Sequence, residues 1–97
     1  MVIVTEERLV GYARTHPEAS SGLLRWAAIV KVAAWKNFVE LRRIFRNADQ
    51  VGACVVFNIM GKNYRLIARI DYGLQAVTLK YFLTHAEYDR GKWKKDC

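Results

Sequence analysis

Hydrophobic and polar positions along the chain change period near its middle. Val2-Ile3-Val4 is a short β-branched run that predicts a first strand. Thr5 offers an N-cap, with Glu6 and Glu7 at the acid-favouring end of a helix over Thr5–Arg14. Thr15-His16-Pro17 breaks that helix, and Pro17 suits the first turn of a second one running to about Trp35. Leu23, Ala27, Val30 and Ala34 form its apolar stripe, widened by Trp26, Ile29 and Ala33. Trp26 and Trp35 are expected in the core or at its rim. Asn37–Asn47 reads as a shorter helix or turn bearing Arg42, Arg43 and Arg46.

After Gly52 the period becomes that of strands. Ala53–Met60, Tyr64–Asp71 and Ala76–Leu83 predict a three-stranded meander joined at Gly61-Lys62-Asn63 and Tyr72–Gln75. Val55, Phe57 and Ile59 share one face, as do Tyr64, Leu66, Ala68 and Ile70. In the last strand, simple alternation puts Val77, Leu79, Tyr81 and Leu83 together, with Thr78, Lys80 and Phe82 opposite. Thr84 followed three residues later by Glu87 marks a capping box opening a short helix. The order β-α-α-(α)-β-β-β predicts one α+β domain over residues 1–97. Its helices lie on one face of a mostly antiparallel sheet, and its other face is open to solvent or ligand.

Composition narrows the function. The net charge of +7 favours polyanionic partners. Gly and Pro are scarce, at 6 and 1 residues, so a linker or collagen-like chain is excluded. Leu23–Trp35 is interrupted by Arg25 and Lys31 and is too short to span a bilayer. Glu6 and Glu7 fall where a secretory core would continue, so a cytoplasmic protein is expected. Cys54, Cys97, His16 and His85 show no metal-ligand spacing, and no cofactor is expected. Cys54 is expected as a buried free thiol. The basic end, Arg90–Cys97, is expected as a frayed terminus, with nucleic-acid contacts through its charge and Trp93 as the alternative.

Strand alternation assembles a candidate site on the open face. Arg65 and Arg69 project from it, about 13 Å apart along the strand. Asn58 takes the matching slot in the preceding strand, Lys62 lies in the hairpin, and Lys80 is the polar insertion in the next strand. His85 and Tyr88 follow that strand's end. Cations with almost no carboxylate, Asp71 excepted, suit a phosphodiester. An imidazole exchanges protons near neutrality, and a phenol stacks on a base or polarises a hydroxyl. These groups would serve metal-free RNA cleavage by the neighbouring 2′-hydroxyl. The proposal requires Arg65 to be unburied and on the same side as His85.

Val56–Asp89 resembles the HigB family of RelE-like bacterial toxins. The likeness rests on Phe57-Asn58-Ile59, on Gly61-Lys62-Asn63-Tyr64-Arg65-Leu66-Ile67, and on Thr84-His85-Ala86-Glu87-Tyr88-Asp89. Upstream, Trp35-Lys36-Asn37, Leu41-Arg42 and Asn47-Ala48-Asp49 also look like this family. The resemblance implies the toxin of a type II toxin–antitoxin system, an endoribonuclease that cleaves mRNA on the 70S ribosome. It implies a HigA-like helix-turn-helix antitoxin as partner. Carried over, Arg65 contacts phosphate in the transition state, His85 and Tyr88 join the active site, and Asn58 and Lys62 line the RNA path. Many RelE-like toxins carry lysines on the strand before the hairpin, where this chain has Val56 and Asn58. His85 and Lys62 are therefore both candidates for general base. A non-catalytic module that grips RNA or ribosome is the alternative.

Overall fold

A computed structural model describes residues 1–97. Five strands form one sheet in the order β1-β5-β4-β3-β2. They are β1 (Val2–Ile3), β2 (Asp49–Val51), β3 (Cys54–Ile59), β4 (Tyr64–Asp71) and β5 (Ala76–Thr84). Only the β1–β5 pair is parallel. The helices are α1 (Arg8–Thr15), α2 (Ser20–Val32), α3 (Phe38–Ile44) and α4 (His85–Asp89), with 3-10 turns at Pro17–Ala19 and Lys92–Asp96. This is the expected α+β arrangement. Strand β2, which the sequence pattern does not reveal, extends the meander. No helix is long and apolar enough to cross a membrane.

Local interactions move the helix ends from their expected positions. Thr5 is not a helix cap: its hydroxyl accepts the Leu79 N–H at 2.9 Å and ties the chain to β5. Helix α1 therefore starts only at Arg8, and Glu6 and Glu7 precede it. Helix α2 stops at Val32, because Ala33 is extended. The Met1 amine donates to the carbonyls of Val30 at 3.1 Å and Ala33 at 2.6 Å, satisfying that frayed end. Ala34 thus leaves the expected apolar stripe and is exposed. Asn37 caps α3 by accepting the Glu40 N–H at 3.0 Å. Trp26 and Trp35 are buried, as expected.

The helices cover the sheet face formed by Val55, Phe57, Ile59, Leu66, Ala68, Val77, Leu79 and Phe82. Phe82 belongs to this core because of a bulge. Leu66 pairs with Phe82 and Ile67 with Tyr81, yet Ala68 pairs with Leu79. Lys80 is the extra residue, and it reverses the alternation beyond it. Tyr81 and Leu83 therefore stand on the outer face, opposite to their expected side. Phe82 stacks between Tyr12 and Tyr64, with ring centroids at 5.4 and 5.1 Å.

The outer face is not open along its length. The segment Lys92–Asp96 folds across it, and Trp93 packs on Cys54, Val56 and Ile67 with 2% of its surface exposed. Cys54 and Cys97 form a disulfide with Cα atoms 5.3 Å apart. These findings correct two expectations: Cys54 is not a free thiol, and the basic end is not frayed. Apolar burial of Trp93 and the covalent bond together outweigh the repulsion among its lysines.

The bulge has a measurable consequence. Phe82→Ala is expected to destabilise the fold by about 3–5 kcal/mol. Lys80→Ala should stay within about 0.5 kcal/mol. Chemical denaturation measures both, and the opposite ordering would exclude the bulged register.

Candidate active site

The site residues converge where β4 leaves the hairpin and β5 enters α4. Asn58, Arg65 and Leu83 are paired across three adjacent strands and share the outer face. The hairpin places them by turning through Met60 and Gly61, at φ 54° and 65°. Lys62 is exposed in that turn, and its carbonyl accepts the Arg65 Nη1–H at 2.6 Å. Arg65 is consequently anchored at its tip as well as its base.

Helix α4 supplies the other groups. Its capping box is complete: the Thr84 hydroxyl accepts the Glu87 N–H at 3.3 Å, and Glu87 accepts the Thr84 N–H at 2.9 Å. The His85 N–H donates to the Asn63 carbonyl at 3.2 Å, fastening the helix start to the hairpin. These bonds set the bearing of two side chains. The His85 imidazole is exposed, with Nδ1 2.8 Å from an Asp89 carboxylate oxygen. That contact orients the ring through Nδ1, while more than half of the side chain stays exposed. Tyr88, three residues further along α4, lies over Arg65, whose guanidinium carbon is 5.0 Å from the ring centroid.

Behind Tyr88 stands Trp93. The two rings are 5.1 Å apart and inclined by only 15°. Trp93 Nε1–H donates to the Tyr88 carbonyl at 3.0 Å, so ring and backbone are both held. Arg65, Tyr88 and Trp93 form one layered stack. The result contradicts the expectation of an unburied Arg65: only 9% of its surface is exposed. Its planar, weakly hydrated cation accepts this burial because a ring face and a carbonyl replace part of its water.

The remaining expected residues are dispersed. Arg69 is exposed on the outer face, but pairs with Cys54 and Thr78 at the far end of β4. Ile67, beneath Trp93, separates it from Arg65. Lys80 is half-buried at the bulge, opposite the Ile67–Ala68 step of β4 and not opposite Arg65. Asn58 borders a hollow shared with Arg46 and Asn47. The expectation of a surface nearly free of carboxylate also fails, since Asp89 engages His85 and Asp96 accepts from the Tyr81 hydroxyl. Sequence reasoning missed Asp89 as the partner of His85, and it weighed Trp93 only as a nucleic-acid contact and not as the backing of Tyr88. Asp89 lies four residues after His85, the spacing of a helical pair, and could have been found that way.

The largest hollow lies elsewhere, between α1 and α2, lined by Leu9, Val10, Ala13, Leu23 and Leu24 among others. It is on the helical side of the sheet and mostly apolar. Its charged groups include the Glu6–Lys31 pair at 2.6 Å, so phosphodiester chemistry is better served around Arg65.

Acid should loosen this site through the capping box. The Thr84 backbone N–H holds Glu87 below its ordinary pKa, outweighing the opposing effect of burial. Its stabilising contribution is then complete above the ordinary glutamate value of about 4.3 and is lost as pH falls through the lower folded value. Amide shifts of Thr84 and Glu87, followed by NMR from neutral pH into that acid range, should show α4 fraying. Glu87→Gln should remove the pH dependence; an identical titration in the variant would contradict the assignment.

Residues 19–91 match the family model described as the RelE-like toxic component of a toxin–antitoxin system, HigB toxin. The chain is also similar to curated proteins over most of its length. It is 24% identical over 92 residues to the mRNA interferase toxin HigB of Escherichia coli K12, covering 92% of this chain and 88% of that protein. It is 27% identical over 93 residues to the mRNA interferase HigB of Escherichia coli O6:H1, covering 93% and 90%. Arg65, His85, Tyr88 and Asp89 fall inside the matched region and Trp93 just beyond it, and the chain belongs to the HigB family of RelE-like toxins.

Proposed function

We propose that this protein is the toxin of a type II toxin–antitoxin pair and acts as an endoribonuclease on mRNA engaged by translating 70S ribosomes. Relatives of nearly full-length similarity bear the name mRNA interferase. The observation that carries the reading to particular residues is the meeting of α4 and β4. One helix brings an imidazole oriented by Asp89 and a phenol ring that rests on Arg65.

In this reading the message's own 2′-hydroxyl is the nucleophile. His85 Nε2 takes its proton as the oxygen attacks the adjacent phosphorus. A new P–O2′ bond forms, the P–O5′ bond breaks, and an acid returns a proton to the departing 5′-oxygen. The products are a 2′,3′-cyclic phosphate and a 5′-hydroxyl. Arg65 stabilises the charge gathering on the phosphoryl oxygens through its forked donors. Tyr88 stacks on a base or relays the proton to the leaving group. Lys62 is the alternative base and, with Asn58, borders the path of the strand. Arg69 and Lys80 lie farther away and contribute to backbone attraction. This chemistry needs no metal.

The partner is a HigA-like helix-turn-helix antitoxin, which a surface of charge +7 would meet through carboxylate-rich segments. The site of action is the cytoplasm, where messages are translated. A second reading, a binding module without catalysis, is favoured by one observation: Arg65 is buried beneath Tyr88. Nuclease action therefore requires that cover to shift.

His85 separates the two readings because it is exposed and its replacement leaves the core intact. His85→Ala should slow cleavage of a translated message by about 100-fold or more, as primer extension reports, and should relieve growth arrest. Retention on ribosomes should persist. Undiminished cleavage would remove His85 from the mechanism, and no cleavage by the wild type would favour the binding module.

A further inference from the structure

The segment Lys92–Cys97, whose Trp93 backs the Tyr88 ring that covers Arg65, is seated by contacts on the β2–β3 turn, β3, β4, β5 and α4. In the turn between β2 and β3, Gly52 has φ +59°, and a Cβ there would lie 2.2 Å from the Cys97 carbonyl oxygen. That same oxygen accepts the Ala53 N–H at 2.8 Å. One residue on, Cys54 carries the disulfide to Cys97. Tyr81 on β5 donates its hydroxyl to Asp96. Trp93 fills the apolar strip over Val56 and Ile67 and backs the ring of Tyr88. The seat thus joins a covalent bond at one end to the Arg65 stack at the other.

We propose that Lys92–Cys97 is a thiol-controlled latch, and that the Cys54–Cys97 disulfide locks it shut over Arg65. While the bond is intact, Trp93 cannot retreat from Tyr88, and Tyr88 cannot leave the guanidinium. The phosphate-binding face of Arg65 is then closed. Cutting the bond leaves the segment held by Trp93 and a few hydrogen bonds, against the mutual repulsion of Lys92, Lys94 and Lys95. It lifts, Tyr88 swings out, and Arg65 becomes available to a phosphodiester.

The chemistry of release is thiol–disulfide exchange with a dithiol. Cys54 is wholly buried whereas Cys97 is partly exposed, so the attack falls on the Cys97 sulfur. The incoming thiolate bonds to Cys97 Sγ, the Cys54–Cys97 bond breaks, and Cys54 leaves as a thiolate that takes a proton. The second thiol of the reductant then displaces Cys97, which also ends as a thiol. The reductant departs as a disulfide, and two electrons have passed to the protein. A reducing compartment keeps the latch open and oxidation closes it.

The proposal deepens the nuclease reading by giving its buried arginine a route to substrate, and its test does not depend on RNA. Phenylglyoxal labelling of the full chain, read at Arg65 by peptide mass spectrometry, compares the oxidised protein with protein treated with dithiothreitol. Labelling of Arg65 should rise at least tenfold on reduction. Cys97→Ser should label at the faster rate with or without dithiothreitol, and it leaves the sheet residues unchanged. Equal labelling of oxidised and reduced wild type, continued protection in Cys97→Ser, or two free thiols in the protein purified without reductant would overturn the latch. If Arg65 is uncovered on reduction and RNA is still not cut, the latch stands and the nuclease assignment falls.

Discussion

The contact of the Arg65 guanidinium with the face of Tyr88 organises the outer half of this protein. A cation over a ring is worth about 0.5–1 kcal/mol when exposed, and about 2 or more once water is excluded. Here it is dry enough to matter, because Trp93 closes the far side of Tyr88 and the Lys62 carbonyl satisfies one guanidinium nitrogen. Two stretches of the chain that are distant in sequence meet there: the hairpin turn with β4, and α4 with the closing 3-10 turn. Neither could shift independently. The helical side of the sheet, by contrast, is held by ordinary apolar packing and carries little chemistry.

A single residue, Lys80, decides which aromatic joins which side. Without the bulge, Tyr81 would enter the helical core and Phe82 would lie outside. With it, Phe82 completes the stack with Tyr12 and Tyr64, while Tyr81 reaches Asp96 and helps seat the closing segment. Period-two reading correctly assigned β3 and β4, where alternation is unbroken, and failed in β5 at the one point where two residues oppose one. Bulges leave no such mark in a hydrophobic pattern. The same limit explains β2, whose Asp49-Gln50-Val51 has too little apolar content to announce a strand.

The candidate site was legible in its parts and not in its cover. Thr84 and Glu87 encode their capping box within three residues, so the start of α4 could be read directly. His85, Tyr88 and Arg65 follow from that start, from the hairpin and from the resemblance to HigB toxins. What local pattern could not supply was a contact across the sheet. Cys54 and Cys97 are 43 residues apart, and two cysteines alone do not announce a bond. Trp93, in a lysine-rich stretch, looks like a solvated residue until the apolar strip of Val56 and Ile67 is seen to lack another cover. Burial of Arg65 under Tyr88 is the result, and it covers a side chain that strand alternation alone presents as open.

The stack itself can be observed without substrate. Protons on the Arg65 side chain lie above the Tyr88 ring and should be shifted upfield by its ring current in NMR spectra of the folded chain. Tyr88→Leu should return them toward the values of a free arginine, with the fold otherwise retained. Arg65 resonances at free-arginine positions in the wild type, unchanged by Tyr88→Leu, would contradict the stack on which this account is built.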